Sequence, residues 1–193
     1  PRRIPSRAPP SKGPPRAFFS PSEARWKGRA GDLSTEVRVT VSDAGSAKFL
    51  DVTLENESDG EVEAICAYVI EPVLGVSRQT AKYIRFGQLD GCLTLHNPYH
   101  AQLPAWMAVR VPDGHPSHTT DRAAFYAGDW SPRELLPNND PIAGTVVRKR
   151  LPPRRRESIR FILTAAAGEA AAGNKAGSCL LYTSPSPRDI SGS

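Results

Sequence analysis

The chain's 193 residues, 39% of them hydrophobic and 23% charged, are enough for one soluble domain with a real core. No apolar run approaches the roughly eighteen residues of a membrane span, so no membrane segment is expected. The formal charge of +5 is concentrated in two places: residues 1–30 carry eight Lys/Arg against one Glu and 148–160 seven against one, while 31–147 hold eight basic and sixteen acidic residues.

The middle of the chain is therefore acidic, and the two basic stretches read as solvated arms rather than a phosphate-binding patch. Aromatic residues do not interleave with either cluster, as stacking on single strands would require, so no nucleic-acid partner is expected. Residues 1–30 are proline-rich in their first half and aperiodic, which predicts a mostly disordered segment with a late strand around 18–26. There is no initiator Met and no signal peptide; Pro1 reads as a cut end, and a cytoplasmic location is the default expectation.

Residues 36–42, EVRVTVS, set Val37, Val39 and Val41 against Glu36, Arg38 and Thr40, the alternation of a half-buried strand. Phe49, Val52 and Leu54 lead into Asn56-Glu57-Ser58-Asp59-Gly60, a turn that predicts a hairpin with residues 61–70. That second strand is apolar on both faces from Ala64 onward, which predicts a central position between two packed layers. Residues 81–86 and 92–96 read as strands joined by a turn over 87–91. Pro104 and Pro112 confine a strand at 106–111. Residues 122–126 fit either a short strand or one helical turn capped by Thr119 or Thr120. Residues 145–150 and 158–163 read as a pair across Pro152-Pro153, and 165–172 as the one helix. Many short strands without alternating helices predict an all-β, antiparallel β-sandwich over 31–168.

The carboxy end, 169–193, reads as a disordered tail. Its Cys179 to Asp189, CLLYTSPSPRD, looks like the translation of a sequencing adapter, and truncation after Gly173 is expected to be silent. Without Cys179 two cysteines remain, and Cys66 and Cys92 suit buried thiols, with a pair between them left open.

The chemistry-bearing residues gather in 95–130, which holds all four His and two of the three Trp. His96 and His100 are four apart, but Pro98 between them forbids a helix that would bring both to one metal, and His115 and His118 read as surface-loop residues. No metal is expected. Asp121-Arg122 is the most telling polar pair, since an arginine fork can tie a loop to carboxylates with directed bonds or reach a ligand. Tyr99, Tyr126, Trp106 and Trp130 offer faces on which a sugar ring stacks, with Trp106 expected in the core and Trp130 exposed. Asp121, Arg122, Trp130 and Tyr99 are the candidate substrate-binding residues. No catalytic residue stands out: there is no Gly-x-Ser-x-Gly, no phosphate loop, and no marked carboxylate pair.

Five pieces in order carry a resemblance: Leu54-Glu55-Asn56-Glu57-Ser58-Asp59, Tyr68 to Gly75 with Glu71, Asn97-Pro98-Tyr99, Asp121-Arg122-Ala123-Ala124-Phe125, and a closing apolar strand. Together they resemble the amino-terminal sandwich of the family-94 glycoside hydrolases, formerly glycosyltransferase family 36, which include cellobiose and chitobiose phosphorylases and cyclic β-1,2-glucan synthases. The resemblance spans residues 31–168. Glu71 is offset by Pro72, and Phe125-Tyr126-Ala127-Gly128-Asp129-Trp130 replaces the family's Phe-Leu-Gly-Arg, so that arginine's role is not carried over.

The resemblance implies a supersandwich of galactose-mutarotase type. It further implies a non-catalytic portion of a glycoside phosphorylase or glycosyl-transferring enzyme that acts on β-linked glucans or related oligosaccharides. The catalytic aspartate of such enzymes lies in an (α/α)6 barrel, which this stretch does not contain. No cofactor is implied beyond inorganic phosphate as the parent enzyme's co-substrate, and the implied partners are an oligosaccharide, the barrel and a second subunit in a homodimer. Two other readings stand beside this one: a stand-alone sandwich binding module, and a basic-armed nucleic-acid protein whose affinity would fall steeply with salt.

Overall fold

A computed structural model of the chain describes residues 16–42, 46–99 and 105–178. His100, Pro104 and the adapter-like segment from Cys179 lie outside them. Among the described residues, eleven strands form two antiparallel sheets. The large sheet holds β1 (Arg16–Phe19), β2 (Glu23–Ala30), β3 (Leu33–Val41), β4 (Ala47–Asn56), β11 (Arg156–Ala166), β8 (Trp106–Arg110), β7 (Cys92–His96) and β6 (Arg85–Leu89), in that spatial order. The small sheet is β5 (Val62–Ile70), β10 (Ala143–Leu151) and β9 (Ser117–Thr119). The sandwich is thus as the pattern of strands implies, but residues 16–30, expected to be mostly disordered, supply two strands.

Both long-range pairings read from the sequence are different in the structure. The turn at Asn56 does not close a hairpin, because β4 pairs with β3 and β11 while β5 pairs with β10. Likewise β10 and β11 lie in different sheets on either side of Pro152-Pro153. The physical reason is in the faces: β4 carries Asp51, Thr53 and Glu55 on one side and tolerates solvent there, whereas β5 is apolar on both. Ala64 and Cys66 of β5 pack on Leu54, Ile159 and Phe161, while Ile65 and Val69 pack on Phe125 and Trp130 outside. β5 gains its two covers this way, yet it stands at the edge of its sheet rather than at the centre.

The two crossings run side by side and are tied by Asn56, which is fully buried. Its Nδ2 donates to the carbonyls of Gly60 (2.7 Å), Leu151 (3.0 Å) and Pro152 (3.0 Å), and its Oδ1 accepts from Ser58 N (3.0 Å) and Ser58 Oγ (2.7 Å). Asn56 N also donates to Arg155 O at 2.9 Å, and Arg154 pairs with Asp59 at 2.9 Å. Arginines of the second basic run therefore face carboxylates, Arg160 reaching Asp51 through two bonds of 2.5 and 2.9 Å.

Elsewhere local chemistry decides. β6 and β7 meet through Asp90-Gly91, both at positive φ (50° and 76°), the mirror-image turn whose twist matches antiparallel strands. Residues 81–83, read as the start of a strand over 81–86, belong instead to a 3-10 helix over Arg78–Tyr83 whose Ser77 Oγ accepts from Gln79 N at 3.2 Å. The helix expected at 165–172 begins later: β11 continues to Ala166 and α2 spans Glu169–Ser178. Ala172 and Ala176 are buried with Cys92, Ala108 and Ile162, and Thr94 Oγ1 donates to Glu169 Oε1 at 2.8 Å. The tail is thus structured to Ser178, and cutting after Gly173 would strip Ala176 from that cluster.

On β10, Gly144 admits the segment above it: a Cβ there would meet Thr119 Cγ2 at 2.9 Å and the Phe125 ring at 3.2 Å. Gly144→Val is expected to cost about 1–3 kcal/mol by forcing those groups apart, read as a lower urea midpoint. An unchanged midpoint would mean that Phe125 moves freely.

Candidate functional site

A cleft of about 780 Å³ opens where α1 (Arg122–Tyr126) meets the loop before β10, and Asp121, Arg122, Arg133, Leu136, Asn138 and Asp140 are on its walls. Asp121, rather than Thr119 or Thr120, caps the helix, its carboxylate accepting from Ala124 N at 2.9 Å. The threonines hold the approach: Thr119 Oγ1 accepts from Asp121 N (3.2 Å), and Thr120 Oγ1 donates to Leu136 O (2.8 Å). Asn138 Nδ2 donates back to Thr120 O at 2.8 Å, closing the loop on the strand end.

Arg122 does not pair with its neighbour Asp121. Its Nη1 donates to Glu71 at 2.6 Å and its Nε lies 2.8 Å from Asp140, while Arg78 bridges the same two carboxylates at 2.8 and 3.0 Å. The four side chains form a closed ring of alternating charge that joins the end of β5, the 3-10 helix, α1 and the loop before β10. Bonds first from Arg122 and then from Arg78 hold the Glu71 carboxyl down at about 2. The ring leaves something over: Arg122 Nε is off-line for a hydrogen bond to Asp140, and Nη2 is buried without an acceptor. Both atoms are themselves shielded from solvent behind the cleft wall.

Arg122→Ala is expected to lower stability by about 1 kcal/mol in a urea titration, since it opens the ring and leaves both part-exposed carboxylates to Arg78 alone. Arg122→Lys should fail to restore it, because one ammonium cannot face both partners as the fork does. Silence of both variants would show the ring to be surface decoration.

The aromatic candidates do not join this cleft. Trp130, expected to be exposed, is half-buried behind α1, its indole N–H donating to Phe125 O at 3.0 Å. Tyr99 is 60% exposed and stacks on Tyr83 at 4.8 Å and 7°. Its turn is anchored by Asn97, which donates to Val73 O (3.3 Å) and Thr80 O (3.1 Å). Tyr126 is exposed, with the Arg122 guanidinium 5.9 Å from its ring. Trp106 is half-buried and stacked on His96 at 3.9 Å.

Of the histidines, His115 is exposed as expected, but His118 is buried on β9 with Nδ1 3.1 Å from Thr145 Oγ1, and desolvation holds it down at about 4. Cys66 and Cys92 are both buried and free, in separate core clusters, and burial raises the Cys66 thiol to about 11. Among the described residues no three His, Cys, Asp or Glu side chains converge on a metal-sized site. Sequence reasoning missed Arg78, Arg133, Asn138 and Asp140; no spacing links them to Arg122, and the run Asn138-Asn139-Asp140-Pro141 reads only as a turn.

The recurring sequence pieces are thus structural ties: Asn56 joins the two crossings, Asn97 pins its turn, and Glu71 meets Arg122. A galactose mutarotase-like protein from Lactobacillus casei is similar at 9% identity, over 78% of this chain and 72% of that one, with a TM-score of 0.50. A polysaccharide lyase is similar at 13% identity, over 79% of this chain and 23% of that one, with a TM-score of 0.51. At such identities these likenesses concern the fold alone. A protein described as a kojibiose phosphorylase from the human microbiome matches at 7% identity and a TM-score of 0.44, over 82% of this chain but only 20% of its own length. The chain therefore spans about a fifth of that protein. No curated protein matches the sequence. The model of one sequence family, described as the supersandwich domain of glycosyl hydrolase 94, matches residues 5–178, and the chain belongs to that family of carbohydrate-related sandwich domains.

Proposed function

We propose that this domain is a non-catalytic support of a glycoside phosphorylase or glycosyl-transferring enzyme acting on β-linked glucans or related oligosaccharides. The observation that carries this reading is the use made of three carboxylates at and beside the cleft, Asp121, Asp140 and Glu71. A general acid needs its proton affinity raised towards neutrality, as burial among apolar groups does. Here Glu71 is held well below the ordinary range by two arginines, Asp140 faces the same two, and Asp121 is engaged as a helix cap. In this reading the cleft binds and positions rather than moving protons. Arg122 and Asn138 line the cleft that would take the sugar, and the exposed faces of Tyr99 and Tyr126 flank other approaches.

In this reading an (α/α)6 domain of the same parent chain supplies the acid, and inorganic phosphate is its co-substrate. The sandwich packs on that domain and contributes to a homodimer. The experiment is a phosphate assay on the purified chain with β-linked glucose and glucosamine disaccharides, paired with titration of a β-glucan oligosaccharide followed by amide resonances. No turnover is expected, with shifts confined to residues 120–123 and 133–140. Turnover by the chain alone, or shifts elsewhere only, would overturn it.

A further inference from the structure

The charges around the cleft beside α1 do not cancel. Arg122 and Arg78 meet Glu71 and Asp140 in the closed ring, two cations against two anions. Arg133 lies between two more carboxylates, bonded to Asp129 and 3.8 Å from Asp121. Glu134, exposed on the cleft wall beside it, has neither an ion pair nor a side-chain hydrogen bond among the described residues. Three guanidinium groups therefore face five carboxylates, an excess of two negative charges. Glu71 is held at about 2, and bonds from Ser131 and then Arg133 lower Asp129, so both stay ionised in mild acid.

The hydrogen-bonding groups are unequal in the same sense. Donors on the walls are spent: Thr120 Oγ1 on Leu136 O, Asn138 Nδ2 on Thr120 O, and the arginines on carboxylates. The two Arg122 nitrogen atoms left without an acceptor are shielded from solvent. What the walls still offer is acceptors, the two oxygens of Glu134 above all. Ala123, Leu136 and Pro137 supply apolar lining. The carboxylates do not form a metal cage, since no three such side chains converge among the described residues. An apolar-walled cleft with a spare acceptor and a negative field suits a ligand that brings its own donors and a positive charge.

Resting on the reading of this cleft as a saccharide site, we propose that it selects saccharides carrying a protonated amino group, and that Glu134 sets the preference. The ammonium lies against the Glu134 carboxylate, and the sugar's hydroxyls and C–H faces take the rest of the walls. Acetylation of the amine removes the charge and with it the advantage. A carboxylate-bearing sugar meets repulsion, and a neutral glucan meets neither. The carboxylates are in contact with water, so the preference is of the order of a few-fold and falls with salt.

The test titrates the whole chain with four β-linked disaccharides, followed by amide resonances in low salt at about pH 6, below the ordinary range of an amine. The sugars are those of glucosamine, of N-acetylglucosamine, of glucose, and of glucose with glucuronic acid. The glucosamine sugar is expected to bind about threefold or more tighter than the glucose one, the glucuronate sugar as much weaker, and the acetylated sugar like glucose. Salt at about 0.5 M should erase the order. Glu134→Lys should weaken glucosamine binding and strengthen glucuronate binding, opposite changes that misfolding cannot produce. Equal affinities for all four would overturn this inference and leave the cleft reading in place. An order that salt leaves intact, or a Glu134→Lys variant that moves every sugar in one direction, would do the same. Shifts at 120–123 and 133–140 with none of the four would overturn both.

Discussion

Asn56→Asp is expected to destabilise the domain more than Asn56→Ala, although it is the closer replacement in shape. The Nδ2 group faces three carbonyl oxygens, those of Gly60, Leu151 and Pro152, at 2.7–3.0 Å in a site with no solvent exposure of Asn56 itself. Alanine leaves those acceptors unpaired and costs about 3 kcal/mol, the upper end for a buried polar group that loses its partner. A carboxylate does worse, since it removes the donor and sets a negative charge against three negative dipoles, and about 4 kcal/mol or more is expected. The sign with pH follows: the folded state raises the pKa of the introduced acid, so it binds a proton more readily than the unfolded chain. Protonation restores one donor, and the gap between the two variants should narrow as pH falls from 7 to 4. Urea titrations at both pH values check it, and an aspartate variant as stable as wild type would show that the crossings do not depend on this amide.

That result also bears on what the sequence conveys. The alternation of Val37, Val39 and Val41 and the Asp90-Gly91 turn are local facts, and the strands and the β6–β7 hairpin are legible from them. Partner choice is not local. Asn56 in a turn looks like the tip of a hairpin, but its donors are taken by Leu151 and Pro152, roughly a hundred residues on, and this sends β5 into the other sheet. The bounds of helix α2, read at 165–172, were misplaced for a similar reason, since its alanines and glycines have little amphipathic pattern and it is held by Ala172 and Ala176 on the large sheet.

The cleft was half legible. Asp121 and Arg122 stand out as a polar pair beside apolar runs, but their partners are assigned by geometry: Glu71 and Asp140 come to Arg122 from opposite sides in the chain, and Asp121 turns to its own helix. Trp130 is a contrast, since an indole after a Gly-Asp turn reads as exposed, yet its N–H finds Phe125 O and its ring covers the outer face of the small sheet.

Acidification is expected to uncover His118. The ring is 7% exposed on β9, its Nδ1 meets Thr145 Oγ1 at 3.1 Å, and Thr145 is itself fully buried. Asp90, Arg110 and His115 line the small cleft beside it, and none comes within ion-pair distance of the ring. Desolvation therefore dominates and lowers the pKa from 6.5 to about 4. The sign is that of a group buried neutral: above pH 6.5 neither state binds the proton, and between 6.5 and 4 the unfolded chain does while the folded one does not. Stability is thus flat above 6.5 and falls as pH drops, by about 3 kcal/mol once pH 4 is reached. His118→Gln keeps a hydrogen bond to Thr145 but cannot titrate, so the stability of wild type relative to this variant should decline by that amount from pH 7 to 4. Carboxylates that titrate in the same range cancel in the difference. A ring that titrates near 6.5 by NMR, or a difference independent of pH, would show that water reaches His118 in the folded state.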